Sequence, residues 1–276
     1  MKLPRFTKLS SLLGLVAVLG VPAIASAGAV FLTGHDPDFH TQPGLGVGDR
    51  LLDVGLGFVT GNTHNDGSSA QKFLWVESNI TAPAGHVKGY NSLDDIGVTS
   101  ADYDLVDAVG FASVNLANYN AIAIASSFGG TLTRAELDAL IARSADIAAF
   151  INAGGGLFAS AECDNCGADL LGANPSLYGY LPISVTSIGA SPPFSVTAYG
   201  ASLGLTDADM NDPTHNSFGL TGGLNIVDTD AAGNATTLAG YVTLCSEGFC
   251  GEVPEPGSLA LTGLALVMLA RTRRRR

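Results

Sequence analysis

Four short apolar runs, none of them alternating with polar residues, constrain this chain more than any other feature. They are Ala29-Val30-Phe31-Leu32-Thr33-Gly34, Phe73-Leu74-Trp75-Val76-Glu77, the stretch from Tyr119 to Ala125, and Gly156-Leu157-Phe158-Ala159-Ser160. A strand with one wet face alternates apolar and polar side chains. A continuous run needs cover on both faces, as in a parallel sheet. Strands of that kind are joined by helical crossovers. The clearest predicted helix lies between the third and fourth runs. Thr133 and Glu136 have capping-box spacing, with Leu132 and Leu137 as the hydrophobic staple. Leu137, Leu140, Ile141, Ala145, Ala148 and Ile151 then recur at helical intervals, and Gly154-Gly155-Gly156 ends the helix. Residues 44–59 supply an earlier helix, weakened by glycines.

After about residue 180 the pattern changes. Phe194 to Tyr199 alternates like a strand after Pro192-Pro193, and 224–228 and 236–241 flank a hairpin turn at Ala231 to Asn234. The expectation is an α/β domain over 28–252, a mostly parallel sheet with helices on both faces and antiparallel additions near its C-terminal end. No repeat at solenoid period is present.

Charge is distributed unevenly. Of the 13 Lys and Arg, Lys2, Arg5 and Lys8 lie at the start, and Arg271 and Arg273 to Arg276 lie at the end. The remaining five share residues 28–253 with 24 of the 25 acids, a net of -19. A surface this acidic repels phosphate backbones, which argues against nucleic acid as a partner and leaves calcium, other cations and basic partners open.

The two ends read as addresses. Residues 1–27 have a basic start, an apolar run from Leu12 to Val21, and Ala25-Ser26-Ala27. That is the pattern of a signal peptide cut by signal peptidase before Gly28; the other reading is a retained anchor. Residues 253–276 hold Pro254-Glu255-Pro256, an apolar run from Leu259 to Ala270, and Arg271, Arg273, Arg274, Arg275 and Arg276. Twelve helical residues reach about 18 Å, well short of a hydrocarbon core of about 30 Å. Terminal arginines stay on the cytoplasmic side, and the prolines leave an extended, protease-accessible segment.

This tripartite tail resembles the PEP-CTERM sorting signal of Gram-negative bacteria. The resemblance implies recognition and removal by an exosortase, a membrane cysteine protease, and delivery to the outer surface in association with exopolysaccharide. It implies membrane contact only through the tail, before processing. An ordinary tail anchor is the other reading. Cys163, Cys166, Cys245 and Cys250 suit an exported chain, where disulfides are the default. Pairing within each close couple is expected, with three connectivities open and a four-cysteine zinc site as the alternative.

The first run with Gly34-His35-Asp36, the third run, the helix and the run at 156–160 together resemble the class I glutamine amidotransferase-like fold, a flavodoxin-like group that includes ThuA-like domains. The resemblance implies a nucleophilic cysteine in the turn after the strand at 157–160. Here that place falls at about Ala161, with Cys163 two residues late, so a catalytically silent domain is expected.

Among candidate site residues, His35-Asp36-Pro37-Asp38-Phe39-His40 follows the first strand. It therefore lies at the carboxyl edge, where open α/β sheets bind ligands. His35, Asp36, Glu162 and Cys163, with Ser126 and Ser127, could form the polar rim of a hydrolase. The plainer reading makes Asp36 and Asp38 turn residues and leaves the histidines solvated. Asp207, Asp209 and Asn211 copy half a calcium loop, but Asp212 and Phe218 stand where an EF-hand needs Gly and Glu. A looser calcium-dependent adhesive site stays open beside an Asp-rich turn, and His215-Asn216 could also serve the rim. Asp94, Asp95, Asp102, Asp104 and Asp107 read as a solvated loop or helix start. Gly44, Gly46 and Gly48 lack the spacing and context of a dinucleotide loop. Trp75 reads as core.

Overall fold

A computed structural model describes residues 27–41, 49–61, 72–78, 89–127, 132–160, 177–210, 216–245 and 248–249. Five strands run parallel: β1 (Gly28–Thr33), β2 (Phe73–Val76), β3 (Tyr103–Val106), β4 (Ala121–Ile124) and β5 (Gly156–Ser160). Their order across the sheet is β3-β2-β4-β5-β1. The four continuous runs are therefore the four strands whose residues are buried throughout.

Alternate residues of these strands serve two cores. Val30, Leu32, Leu74, Ile122 and Leu157 face one side. There α4 (Ala108–Ser113), α5 (Arg134–Ala142) and α6 (Ser144–Asn152) supply Phe111, Leu137, Leu140, Ile147 and Ile151. Phe31, Phe73, Trp75, Ala123 and Phe158 face the other side, against Leu51, Leu52 and Leu56 of α2 (Asp49–Thr60) and Leu93 of α3 (Ser92–Asp95). The short α1 (Pro37–His40) follows β1. No helix among the described residues is long and apolar enough to cross a membrane.

The expected capping box is present, and it does more than cap. Glu136 accepts from the Thr133 backbone N–H and hydroxyl, and its other oxygen accepts from the Ala108 N–H at the start of α4. One buried carboxylate thus serves two helix N-termini. The single helix expected over 133–151 is instead two helices. At Arg143 the backbone turns to φ -106° and ψ 20°. The break lets its guanidinium donate to the Phe111 and Val114 carbonyls at 2.6 and 3.0 Å and lie over the Phe111 ring.

The acidic stretch from Asp94 to Asp107, read as a solvated loop or helix start, does start helices at both ends, and the correction is the strand between them. It contains α3 and edge strand β3, and Asp107 caps α4 by accepting from the Gly110 N–H. Strand β3 escapes a hydrophobicity reading because its outer edge is wet. Lys72 hydrogen-bonds Asp104 at 2.8 Å and, with Tyr119, holds that carboxyl below its usual range.

The antiparallel part is built on β1. Strand β10 (Ala235–Val242) pairs with it over six residues, from Gly28↔Val242 to Thr33↔Thr237. Beyond β10 come β8 (Asn216–Thr221) and β9 (Asn225–Thr229), with β6 (Val185–Gly189) on β8 and β7 (Ser195–Val196) on β9. The strand expected at 194–199 is only two residues long. Thr197 then caps α7 (Ala198–Ser202) by accepting from the Gly200 N–H, and the chain turns helical. A separate pair, β11 (Leu244–Cys245) and β12 (Gly248–Phe249), follows β10.

The expected hairpin joins β9 to β10, and Asp230 ties it. Its carboxylate accepts from the N–H groups of Ala232, Asn234 and Ser191 and from the Asn234 amide, at 2.8 to 3.1 Å. Burial alone would raise this carboxyl's pKa, but these bonds outweigh it and hold the pKa below the ordinary value. A lowered folded pKa contributes stability above the unfolded value, near 3.9, that is lost as pH falls through the folded one. Asp230→Ala should therefore cost roughly 1–3 kcal/mol at pH 7. In urea unfolding, the gap to the parent should close as the pH drops below about 4.

Candidate functional site

The carboxyl ends of the parallel strands collect buried polar residues. Thr33, His35, Asp36 and Asp38 come from the end of β1, and Glu77 and Ser78 from the end of β2. Ser126 and Ser127 follow β4, and Ser160 closes β5. From the antiparallel side, Asp228 of β9 and Thr236 and Thr237 of β10 reach the same edge. All are at most 4% exposed. Buried polar groups persist where hydrogen bonds offset their desolvation, so their partners define what the edge does.

His35 is fully buried, and its Nε2 lies 3.1 Å from Asp228 Oδ2. A carboxylate only accepts, so Nε2 is the donor of this hydrogen bond. The same Asp228 oxygen accepts from the Thr236 hydroxyl at 2.5 Å. The His35 backbone N–H donates to Thr33 Oγ1, which pairs with Thr237 Oγ1 at 3.0 Å. Phe194 packs edge-on against the imidazole, 5.0 Å between centroids. His35 is thus fixed by three strands and one aromatic ring.

The neighbouring groups point elsewhere. Asp36 lies 3.5 Å from His40 Nε2, one helical turn along α1. Asp38 accepts from the Ser126 N–H at 2.8 Å and so ties α1 to the end of β4. Glu77 accepts from Trp75 Nε1 and from the Tyr90 N–H, both at 2.8 Å, fixing the chain after β2. Trp75 itself is fully buried core.

Of the expected rim, His35, Asp36, Asp38, Ser126 and Ser127 share this edge, while Glu162 and Cys163 lie outside the described residues. His35 and Asp36, adjacent in sequence, serve different partners. The reading of both histidines as solvated is corrected: His35 is sealed, and His40 is partly covered and turned toward Asp36. Sequence reasoning missed Asp228, 193 residues from His35. The only signal for it was an acid closing the expected strand from Leu224 to Asp228.

The chemistry open to this edge follows from the geometry. A histidine oriented by a carboxylate is two-thirds of an acid–base relay, and the relay needs a nucleophile or substrate proton at the free nitrogen. Nδ1 has no hydrogen-bond partner among the described residues, nor has Asp228 Oδ1. Ser127 Oγ and Ser160 Oγ are also without one. What the edge demonstrably does is hold strand ends together.

The other expected residues fall elsewhere. Asp207 accepts from the Val196 N–H, and Asp209 accepts from the Thr206 N–H and hydroxyl, all at 2.7 Å. Asp207 is committed to β7 and Asp209 to a local turn, and Asn211 lies outside the described residues. No group of three or more His, Cys, Asp or Glu able to hold a metal occurs among the described residues. Asn216 is buried in β8, and His215 is outside the described set. Cys245 is disulfide-bonded. Cys163, Cys166 and Cys250, the glycines 44–48, and the tail with Pro254, Glu255, Pro256 and its arginines also lie outside. No protein-family model, curated protein or solved structure matches the chain.

Removing either half of the His35–Asp228 pair strands a buried polar group. His35→Ala and Asp228→Ala should each cost about 3–5 kcal/mol in denaturant unfolding. The double variant should be less destabilised than the two losses added, since the second change removes an already stranded partner. Additive losses would show that the pair does not couple.

Proposed function

We propose that this chain is an exported cell-surface protein, associated with exopolysaccharide in the envelope of a Gram-negative bacterium. Its α/β domain acts there as a non-catalytic binding or structural component. Signal peptidase removes residues 1–27, and an exosortase-type protease processes the tail after the arginines have held it at the cytoplasmic face. The observation that carries this reading is the succession of sequence features in the tail: Pro254-Glu255-Pro256, a run too short to span comfortably, then Arg271 to Arg276. A further observation supports it. Cys245 is disulfide-bonded, as suits an oxidising compartment.

The non-catalytic part of the reading is supported by the carboxyl edge, where Asp38, Glu77 and Asp228 are engaged in internal bonds, and by Ala161 standing about where the resemblance implies a nucleophilic cysteine. A flavodoxin-like assignment draws support from the strand order. The sequence β3-β2-β4-β5-β1 is the doubly wound 2-1-3-4-5 order with β1 in the fifth place. In that arrangement the switch-point crevice lies between the ends of β2 and β4, beside Glu77, Ser126 and Ser127. A hydrolase is the second reading, and the oriented His35–Asp228 pair favours it. In that case His35→Gln would abolish an activity that the folded parent shows.

The export reading is tested by intact-mass analysis of the protein recovered from the cell surface. The expected species is smaller than the 28.0 kDa chain and lacks both the first 27 residues and the arginine-bearing end. Deleting Arg271 to Arg276 should reduce that surface species. A full-length chain retained in the inner membrane would overturn the reading.

A further inference from the structure

The first residue of β1 is held more tightly than a strand end needs to be. A side chain on Gly28 would place its Cβ 2.4 Å from the Ile151 carbonyl oxygen, 2.4 Å from that of Gly155 and 2.7 Å from Ile151 Cγ2. Only glycine fits there without moving backbone. Ile151 belongs to the last turn of α6, where the helix end concentrates partial negative charge; its carbonyl accepts from the Gly154 N–H at 2.9 Å and keeps a second lone pair, and that turn contains no basic residue. Covalent geometry then puts the Gly28 nitrogen within about 5 Å of both carbonyl oxygens. Next to it opens a cleft of about 420 Å³, lined by Ala27, Phe58, Asn120, Gly154 and Tyr241 among others. Tyr119 and Tyr241 are the titratable side chains in that lining, which has no carboxylate and no cationic side chain.

Resting on the export reading, we propose that the leader is cut at the Ala27–Gly28 bond and that the fold carries a receptor for the ammonium group so released. Hydrolysis of that amide leaves the Ala27 carboxylate on the leader and an amine on Gly28, which takes up a proton at neutral pH. The new cation faces the C-terminal carbonyls of α6 and Gly155, where the macrodipole favours positive charge. In the uncut chain the same place holds a neutral amide, and Ala27 occupies the cleft mouth. Cutting therefore adds a charge where the helix end rewards it, and the mature domain is more stable than its precursor. The precursor is correspondingly easier to keep unfolded for export.

The sign of the effect is fixed. An ammonium stabilised by the fold has a raised pKa, so its contribution is present below the unfolded value, near 7.7–8.0, and is lost as pH rises through the folded one. The experiment uses the protein recovered from the cell surface. Its N-terminal residue is identified, and half the sample is acetylated near pH 6.5, where the α-amine reacts ahead of lysine. Acetylation should lower Tm by about 2–4 °C at pH 7. The difference between the two forms should shrink as the pH is raised toward 9.5. Gly28→Ala, which keeps a cleavable junction, should still be cut and should melt lower than the parent. A Gly28 terminus with equal Tm for both forms, or a difference that grows with pH, overturns the docking while leaving export intact. A terminus at another residue overturns the cleavage assignment. A chain that still carries Met1 overturns the export reading itself.

Discussion

Strand β1 is the member on which both halves of the sheet depend. It pairs in parallel with β5 on one side and antiparallel with β10 on the other, and all six of its residues are buried. The parallel sheet and its helices hang from one edge, and the antiparallel strands β6 to β10 hang from the other. The seam is reinforced beyond the ladder. Thr33 meets Thr237 through their hydroxyls, and His35, two residues further on, meets Asp228 of β9. Polar groups at the carboxyl edge thus continue the work of the backbone after the strand itself has ended. Because each is buried, the cost of leaving one unpaired makes the seam specific in register as well as stable.

The parallel part was legible because its physics is local to each strand. Burial on both faces demands uninterrupted apolar runs, and those runs coincide with β1, β2, β4 and β5 to within two residues at each end. The capping box at Thr133 and the hairpin around Asp230 were equally readable, since each depends on residues three or four apart. What escaped depends on tertiary partners. Strand β3 is an edge with Asp104 on its wet side. Strands β6 and β8 are short and rich in Ser, Thr and Gly, with little hydrophobic signal of their own. The helix break at Arg143 answers carbonyls at the end of α4, which no periodicity within 133–151 could announce.

The site divides along the same line. That His35 and Asp38 would stand at the carboxyl edge follows from their place after the first strand. That His35 would pair with Asp228 does not, because β1 lies at the far end of the parallel set and meets strands formed some 200 residues later. A reading that starts from β1 as the first strand of a βαβ series looks for its partners among its nearest successors. The chain instead returns to β1 twice, with β5 and with β10. Functional expectations built on the rim of β1 therefore missed the partner that fixes the imidazole.

The two edges of the parallel sheet are unlike each other in electrostatic character. At the carboxyl edge the acids are drawn inward, Asp38 and Glu77 accepting from backbone N–H groups and Asp228 from the His35 and Thr236 side chains, so the edge is acidic in composition but its carboxylates are internally engaged. At the amino edge, Gly154 and Gly155 bring backbone to a cleft whose other walls are uncharged side chains, among them Phe58, Phe150, Tyr119 and Tyr241. An edge of that second kind presents carbonyl dipoles with no cationic side chain to answer them, close to Gly28. Given a domain with only five cationic side chains between residues 28 and 253, the ammonium proposed there would be a large local change. The constraint that makes Gly28 sterically irreplaceable and the constraint that makes its nitrogen electrostatically useful arise from the same close approach of β1 to the end of α6.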